Sequence, residues 1–448
     1  MQKLWGLVLY SVIAFTINIE AKLIQQNADR LLLAKNCNLT YNPKVEQNIF
    51  DKQLNQSVAP RIPAKKKKIT LIMCSGGYGH IAACQTLTEC LSPYYEVTTV
   101  DFIDKVYKSL DPVRTLTFGK ANGNDMYNKL LQSGWIRLSN WMYRNIAPTA
   151  ILSNKKKIER KTLAFLKKDK PDMLISALPV FNLPMSNAAK KIGIPFMVVT
   201  LDSDLTNWLL NLHKMSHQNF AITINDTWPG TEKQLQNRGI KPEKIKKIGF
   251  PRRKDFLQNK NIPDIRKQWN IPDNKFVIMI MMGGVGSHLT YNYVKRINRM
   301  KNINAHLLVC VGRNTQLATK LAKLKSEQGV TSTIIPFTKQ ISDLMAASHL
   351  LITKTGPGSI DEAIHMNLPM LLDKTNPILF WERANVELVL SKQYGDIVTS
   401  FSELDKLVEK YVNDKTYYAT IKNNLQKRKP YVFDQEIVKL VQQMCPHQ

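Results

Sequence analysis

The stretch LLITKTGPGSIDEAIHMNLPMLLDKTNPILFWE, Leu350–Glu382, decides the fold. An apolar run (Leu350–Ile352) passes into a Gly/Pro loop (Gly356, Pro357, Gly358), and a Ser-x-x-Glu pair (Ser359, Glu362) opens an apolar-periodic segment. That order predicts a strand, a tight loop and a helix whose start is capped by Ser359 and Glu362. A helix N-terminus presents unpaired N–H groups and about half a positive charge, which suits an anion such as a diphosphate. Every βα unit needs a turn and a cap, so the stretch alone favours a structural role.

Outward from it the same grammar repeats. Phe276–Met282 precedes Gly283-Gly284-Val285-Gly286-Ser287, and His306–Val311 precedes Gly312-Arg313-Asn314, with further strand-like runs at Ser332–Phe337 and Pro369–Leu372. Near the other end, Ile69–Met73 precedes Cys74-Ser75-Gly76-Gly77-Tyr78-Gly79-His80, followed by runs at Glu96–Val100, Met173–Ser176, Phe196–Thr200 and Phe220–Asn225. Strands alternating with helical segments predict parallel doubly wound sheets. Two such halves, each with a Gly-rich loop after its first strand, would face each other across a cleft. The predicted organisation is a first domain over 69–251, a Pro-containing linker over 252–274, a second domain over 275–430 and a C-terminal helix or tail over 431–448.

With 448 residues and 44% apolar content the chain is long and apolar enough for two cores. Its 63 Lys+Arg against 35 Asp+Glu give a net charge of +28, which points to a polyanionic partner or to a Lys-rich lineage. Nucleic acid ranks below an anionic membrane surface, because no RNA-recognition, KH or zinc-finger signature is present. The six cysteines show no Cys-x-x-Cys pair and no zinc spacing, so no metal site is expected from them. Met1–Ala21 reads as a signal peptide or a short membrane anchor. The cations that follow in the 22–68 linker (Lys22, Arg30, Lys35 and Lys65–Lys68) favour an anchor with the chain on the cytoplasmic face. Export through a signal peptide is the alternative.

Chemistry gathers at the ends of strands. The GGYGH loop does not match the dinucleotide fingerprint Gly-x-Gly-x-x-Gly. His80 is expected at a helix start, where the dipole keeps imidazole basic and suited to a general base; a loop histidine without a role fits equally. Asp202-Ser203-Asp204 has a spacing that can hold a divalent cation. A base, or a partner of one, is the preferred role for Asp202. The insert 102–151 mixes Tyr107, Phe118, Tyr127, Trp135, Trp141 and Tyr143 with basic residues, which suits a membrane interface or an ordinary helical subdomain.

Taken together, these motifs resemble the inverting two-domain glycosyltransferases of the GT-B fold. The similarity is to the monogalactosyldiacylglycerol synthases and processive diacylglycerol glucosyltransferases, and more distantly to the N-acetylglucosaminyltransferase acting on lipid I. It runs from about Ile69 to Asp396. The specific part is Gly356-Pro357-Gly358-Ser359-Ile360-Asp361-Glu362-Ala363 followed by Glu382-Arg383-Ala384-Asn385.

The resemblance implies an α/β GT-B fold of two Rossmann-like domains, a UDP-sugar donor and a membrane lipid acceptor. It assigns the donor diphosphate to Gly356, Gly358 and Ser359, the ribose to Glu362, and the ribose or sugar side to Glu382, with Asn385 completing that motif. Gly284, Gly286 and Ser287 would form the donor loop, Arg313 would lie by the donor pocket, and Phe337 would frame the uracil. Gly77, Gly79 and His80 fall on the acceptor side, and Asp202 corresponds approximately to the family's Thr-Asp. Two departures stand out: Ile81 replaces a frequent Arg, and Leu201 is an extra residue before Asp202. The expected reaction is hexosyl transfer with His80 or Asp202 as base, no metal and no cofactor. The rival readings are a UDP-N-acetylglucosamine 2-epimerase-like isomerase and a non-catalytic nucleotide- or polyanion-binding protein.

Overall fold

The computed structural model describes residues 66–283, 288–326, 329–428 and 430–446. The N-terminal segments read as anchor and basic linker therefore lie almost wholly outside the described residues, as do Gly284, Gly286 and Ser287. Among the described residues no helix is long and apolar enough to cross a membrane.

The first half holds β1 (Lys68–Met73), β2 (Glu96–Asp101), β3 (Met173–Ser176), β4 (Phe196–Val199), β5 (Phe220–Ile224) and β6 (Ile245–Lys247) in the spatial order 2-1-3-4-5-6. The second holds β7 (Phe276–Met281), β8 (Ala305–Gly312), β9 (Val330–Pro336), β10 (Leu350–Thr353), β11 (Met370–Asp373) and β12 (Gly395–Val398) in the order 12-11-10-7-8-9. Every pairing is parallel. Both faces of a parallel sheet are covered, which explains the uninterrupted apolar runs. In β7, Ile278 and Ile280 pack into one apolar layer while Val277 and Met279 pack into another on the opposite face.

Each sheet reverses strand order at one place, between β1 and β3 in the first half and between β7 and β10 in the second. Ligands of open α/β sheets bind outside the strand ends at such points. Five helices matter to the site: α1 (Tyr78–Leu91), α2 (Gly123–Gln132), α3 (Pro357–His365), α4 (Arg383–Ser391) and α5 (Phe433–Met444).

Three features depart from the sequence reading. Strands β6 and β12 were not predicted; both are short edge strands with polar residues. A Cβ on Gly395 would lie 2.0 Å from the Met370 carbonyl oxygen, so β12 pairs only because its first residue has no side chain. The 252–274 segment is not a free linker, since Phe256, Ile265 and Ile271 belong to the second half's core. Finally, α5 returns to the first half, where Phe433, Ile437, Leu440 and Val441 join its core. The Tyr95 hydroxyl donates to the Cys445 carbonyl at 2.9 Å there.

Candidate active site

In the first half, β1 turns through Cys74–Gly77 into α1. Gly77 caps the helix at φ 84°, a left-handed conformation that glycine adopts without strain, and its amide donates to Asn128 Oδ1 of α2 at 3.1 Å. His80 is the third residue of α1. Its Nδ1 lies 3.2 Å from the carbonyl of Ala177, just past β3. A carbonyl only accepts, so Nδ1 carries the proton donated there, and the neutral tautomer with that proton has its Nε2 lone pair left for a substrate.

The imidazole stacks on Trp208, with centroids 6.3 Å apart and planes 13° from parallel. The Trp208 indole N–H donates to Asp202 Oδ2 at 2.8 Å. Burial raises the Asp202 carboxyl above the ordinary carboxylate range, opposed by nearby His80 and by the Trp208 donor. His80 and Asp202 are therefore neighbours around Trp208 and not a hydrogen-bonded pair. Asp204 accepts from the Thr206 amide at 2.9 Å. A Cβ on Gly79 would meet nothing within 4 Å, so that turn opens onto free space.

In the second half, α3 begins at Pro357 with Gly356 as its cap and no side-chain cap hydrogen bond. The predicted Ser359/Glu362 capping pair is thus corrected: proline at the first helical position pre-sets the backbone, and the helix starts before Ser359. Gly358 has open space where a Cβ would be. Glu362 is engaged elsewhere, with its Oε1 accepting from Arg253 Nε and lying 2.9 Å from Nη2. Glu382 Oε2 accepts from Thr355 Oγ1 at 2.6 Å. Asn385, on α4, donates from Nδ2 to the Thr355 carbonyl at 2.8 Å. Burial raises the Glu382 carboxyl; the Thr355 donor and Lys354 oppose the shift, and Asp202 adds to it from the other half. The Lys354 ammonium reaches within 3.3 Å of where a Cβ on Gly283 would stand, so it bridges the loops after β7 and β10. The Arg313 guanidinium lies 4.4 Å from the Phe337 ring centre, which joins two predicted donor-side residues.

The halves also meet directly. Asn140, in the aromatic insert, donates to the Ile378 carbonyl at 2.8 Å and accepts from the Phe380 amide at 3.0 Å. Ser203 Oγ donates to the Trp381 carbonyl at 3.2 Å. Trp381 packs edge-on against Tyr143, with centroids 5.8 Å apart, and lies 6.5 Å from Tyr127. The loop before Glu382 is therefore held by the first half, and Asp202 and Glu382 lie close enough to act on each other electrostatically.

Residues 277–374 match the model of the glycosyltransferase family 28 C-terminal domain. The processive diacylglycerol beta-glucosyltransferase of Bacillus subtilis is 24% identical over 374 residues, covering 80% of this chain and 91% of that protein. The chloroplastic monogalactosyldiacylglycerol synthase of Spinacia oleracea is 25% identical over 375 residues, covering 79% and 67%. The chain is a glycosyltransferase of GT-B fold that carries a family 28 C-terminal domain. Solved structures share its fold at low identity. Acinetobacter baumannii MurG is 16% identical with a TM-score of 0.57, covering 84% of this chain and 99% of its own. Phytolacca americana UGT2, complexed with UDP-2fluoro-glucose and pterostilbene, is 14% identical with a TM-score of 0.54, covering 86% and 99%.

In this glycosyltransferase Asp202 lies beside His80 and acts electrostatically on Glu382 of the other half, whose Oε1 stands 3.8 Å from where a Cβ on Gly356 would be. Glu362 instead faces Arg253. Sequence reasoning missed Trp208, Lys354, Thr355 and Asn140. Lys354 and Thr355 carried a usable signal, since they stand between a strand end and the Gly356-Pro357-Gly358 loop. Asn140 carried none, because its partners are backbone atoms distant in sequence.

Proposed function

We propose that the glycosyltransferase moves a hexose from a UDP-sugar to the hydroxyl of a diacylglycerol-type membrane lipid, with inversion. The observation that carries the proposal is the convergence of His80 and Asp202, on the first half, with Glu382, Lys354 and the start of α3 on the second. Nε2 of His80 takes the acceptor's proton as the oxygen attacks the anomeric carbon, and the adjacent Asp202 carboxylate favours the imidazolium that forms. The sugar–phosphate bond breaks as the new glycosidic bond forms. The charge gathering on UDP is met by the amides of Gly358 and Ser359 at the α3 N-terminus and by the Lys354 ammonium. Glu382 accepts hydrogen bonds from donor hydroxyls. Glu362 reaches a ribose only by sharing or releasing Arg253. The enzyme works at the cytoplasmic face of an anionic membrane, in keeping with its net charge of +28, and no metal or cofactor enters the scheme. The names of the diacylglycerol-specific relatives support the acceptor class.

The deciding experiment offers UDP-glucose, UDP-galactose and UDP-N-acetylglucosamine with diacylglycerol, ceramide or polyprenyl phosphate, and weighs the products. A glycosylated lipid with stoichiometric UDP release is expected. Conversion of a UDP-sugar without acceptor would turn the assignment to an isomerase. Tight UDP binding with no turnover on any acceptor would leave a binding protein.

A further inference from the structure

The aromatic seam between the halves contains a group that the proposed reaction leaves unused. Tyr127, on α2, packs its ring on three sides. Tyr143 meets it edge-on at 5.4 Å between centroids, and Trp381 of the second half lies 6.5 Å away. On the third side a Cβ on Gly76 would stand 3.3 Å from Tyr127 Cδ1. The ring is thus fixed between the loop that leads to His80 and the residue that precedes Glu382. Its hydroxyl makes no hydrogen bond among the described residues, although Asp202 and Glu382 both act on it electrostatically. Tyr127 is half-buried, so this hydroxyl stays open to a ligand.

The chemistry of the missing partner follows from the neighbours. Two carboxylates accept hydrogen bonds, whereas a phenol beside them is held protonated and donates. Burial, aided by those carboxylates, pushes this phenol well above its ordinary range. A ligand that meets all three groups must donate to the carboxylates and accept from the phenol, as the hydroxyls of a pyranose can. The flanking Trp381 and Tyr143 rings add apolar faces of the kind that pack against sugar C–H groups.

We propose that Tyr127 is a contact residue for the transferred hexose, its hydroxyl donating to a sugar hydroxyl between Asp202 and Glu382. This rests on the reading of the cleft as a UDP-hexose site. Because Trp381 belongs to the other half, the aromatic wall around Tyr127 is built by both halves.

The test compares UDP and UDP-glucose binding by calorimetry in the parent and in Tyr127→Phe, which keeps the ring and removes the oxygen. Loss of one neutral hydrogen bond should weaken UDP-glucose by roughly 3- to 10-fold and leave UDP unchanged. kcat/KM for UDP-glucose should fall by a similar factor. Equal UDP-glucose affinity in parent and variant, or a parallel loss for UDP, overturns the role of Tyr127 alone. A parent that binds neither ligand overturns the UDP-hexose reading and this proposal with it. Thermal unfolding of the variant within a degree or two of the parent separates lost contact from lost structure.

Discussion

Arg252→Met tests how the start of α3 is held. Arg252 stands where the chain leaves the first half, and its side chain is only 7% exposed, against 11% for its partner Asp361. Nε and Nη2 each reach Asp361 Oδ2 at 2.8 Å, Nη1 donates to His365 Nδ1 at 2.9 Å, and the guanidinium lies 4.3 Å from the Tyr431 ring centre. Methionine keeps the apolar stem and deletes the charge. The buried Asp361 carboxylate is then left unpaired, which costs about 3–5 kcal/mol of stability. The loss depends on pH with a definite sign. Burial raises the Asp361 carboxyl and Arg252 opposes that shift, so without Arg252 the folded-state pKa rises further above the unfolded one. The folded variant then binds the extra proton, and its stability falls as pH rises through that window. Urea unfolding of parent and variant at pH 5 and pH 8 should show a deficit larger at pH 8. The Arg252→Met/Asp361→Leu double variant should regain at least half of it, because an apolar pair removes the orphaned charge. A single-variant deficit below about 1 kcal/mol, or one equal at both pH values, refutes the reasoning.

Two further outcomes are expected. His80→Ala should lower kcat by about 10²–10⁴-fold while thermal unfolding stays near the parent's; near-full turnover in a folded variant removes His80 from the base role. Burial lowers His306, His349 and His365 from 6.5 to about 4. A folded pKa below the unfolded one means stability is lost as pH falls from about 6.5 toward 4, on the order of 1 kcal/mol per histidine once partial exposure is discounted. Tm should drop across that window, and His306→Gln should flatten the slope. A Tm constant from pH 7 to pH 4.5 would count against it.

Legibility in the sequence followed the range of the forces involved. Strands β3 and β10 were readable because a doubly covered parallel strand needs consecutive apolar residues. The α3 cap was misread because Ser359 and Glu362 have the right spacing, while Pro357 sets the actual start. Trp208 carries no local signal of a role; its place beside both His80 and Asp202 depends on the chain between β4 and β5 folding back.

From sequence came the two βα halves, the Gly-Pro-Gly loop and the candidates His80 and Asp202, each a local pattern, while Glu382 came from the family resemblance. Only tertiary structure decided that Glu362 is engaged by Arg253, that α5 crosses back to the first core, and that Tyr127 meets Trp381. These are contacts between segments far apart in the chain. Such pairings arise from packing two halves together, which no periodicity or spacing within either half encodes.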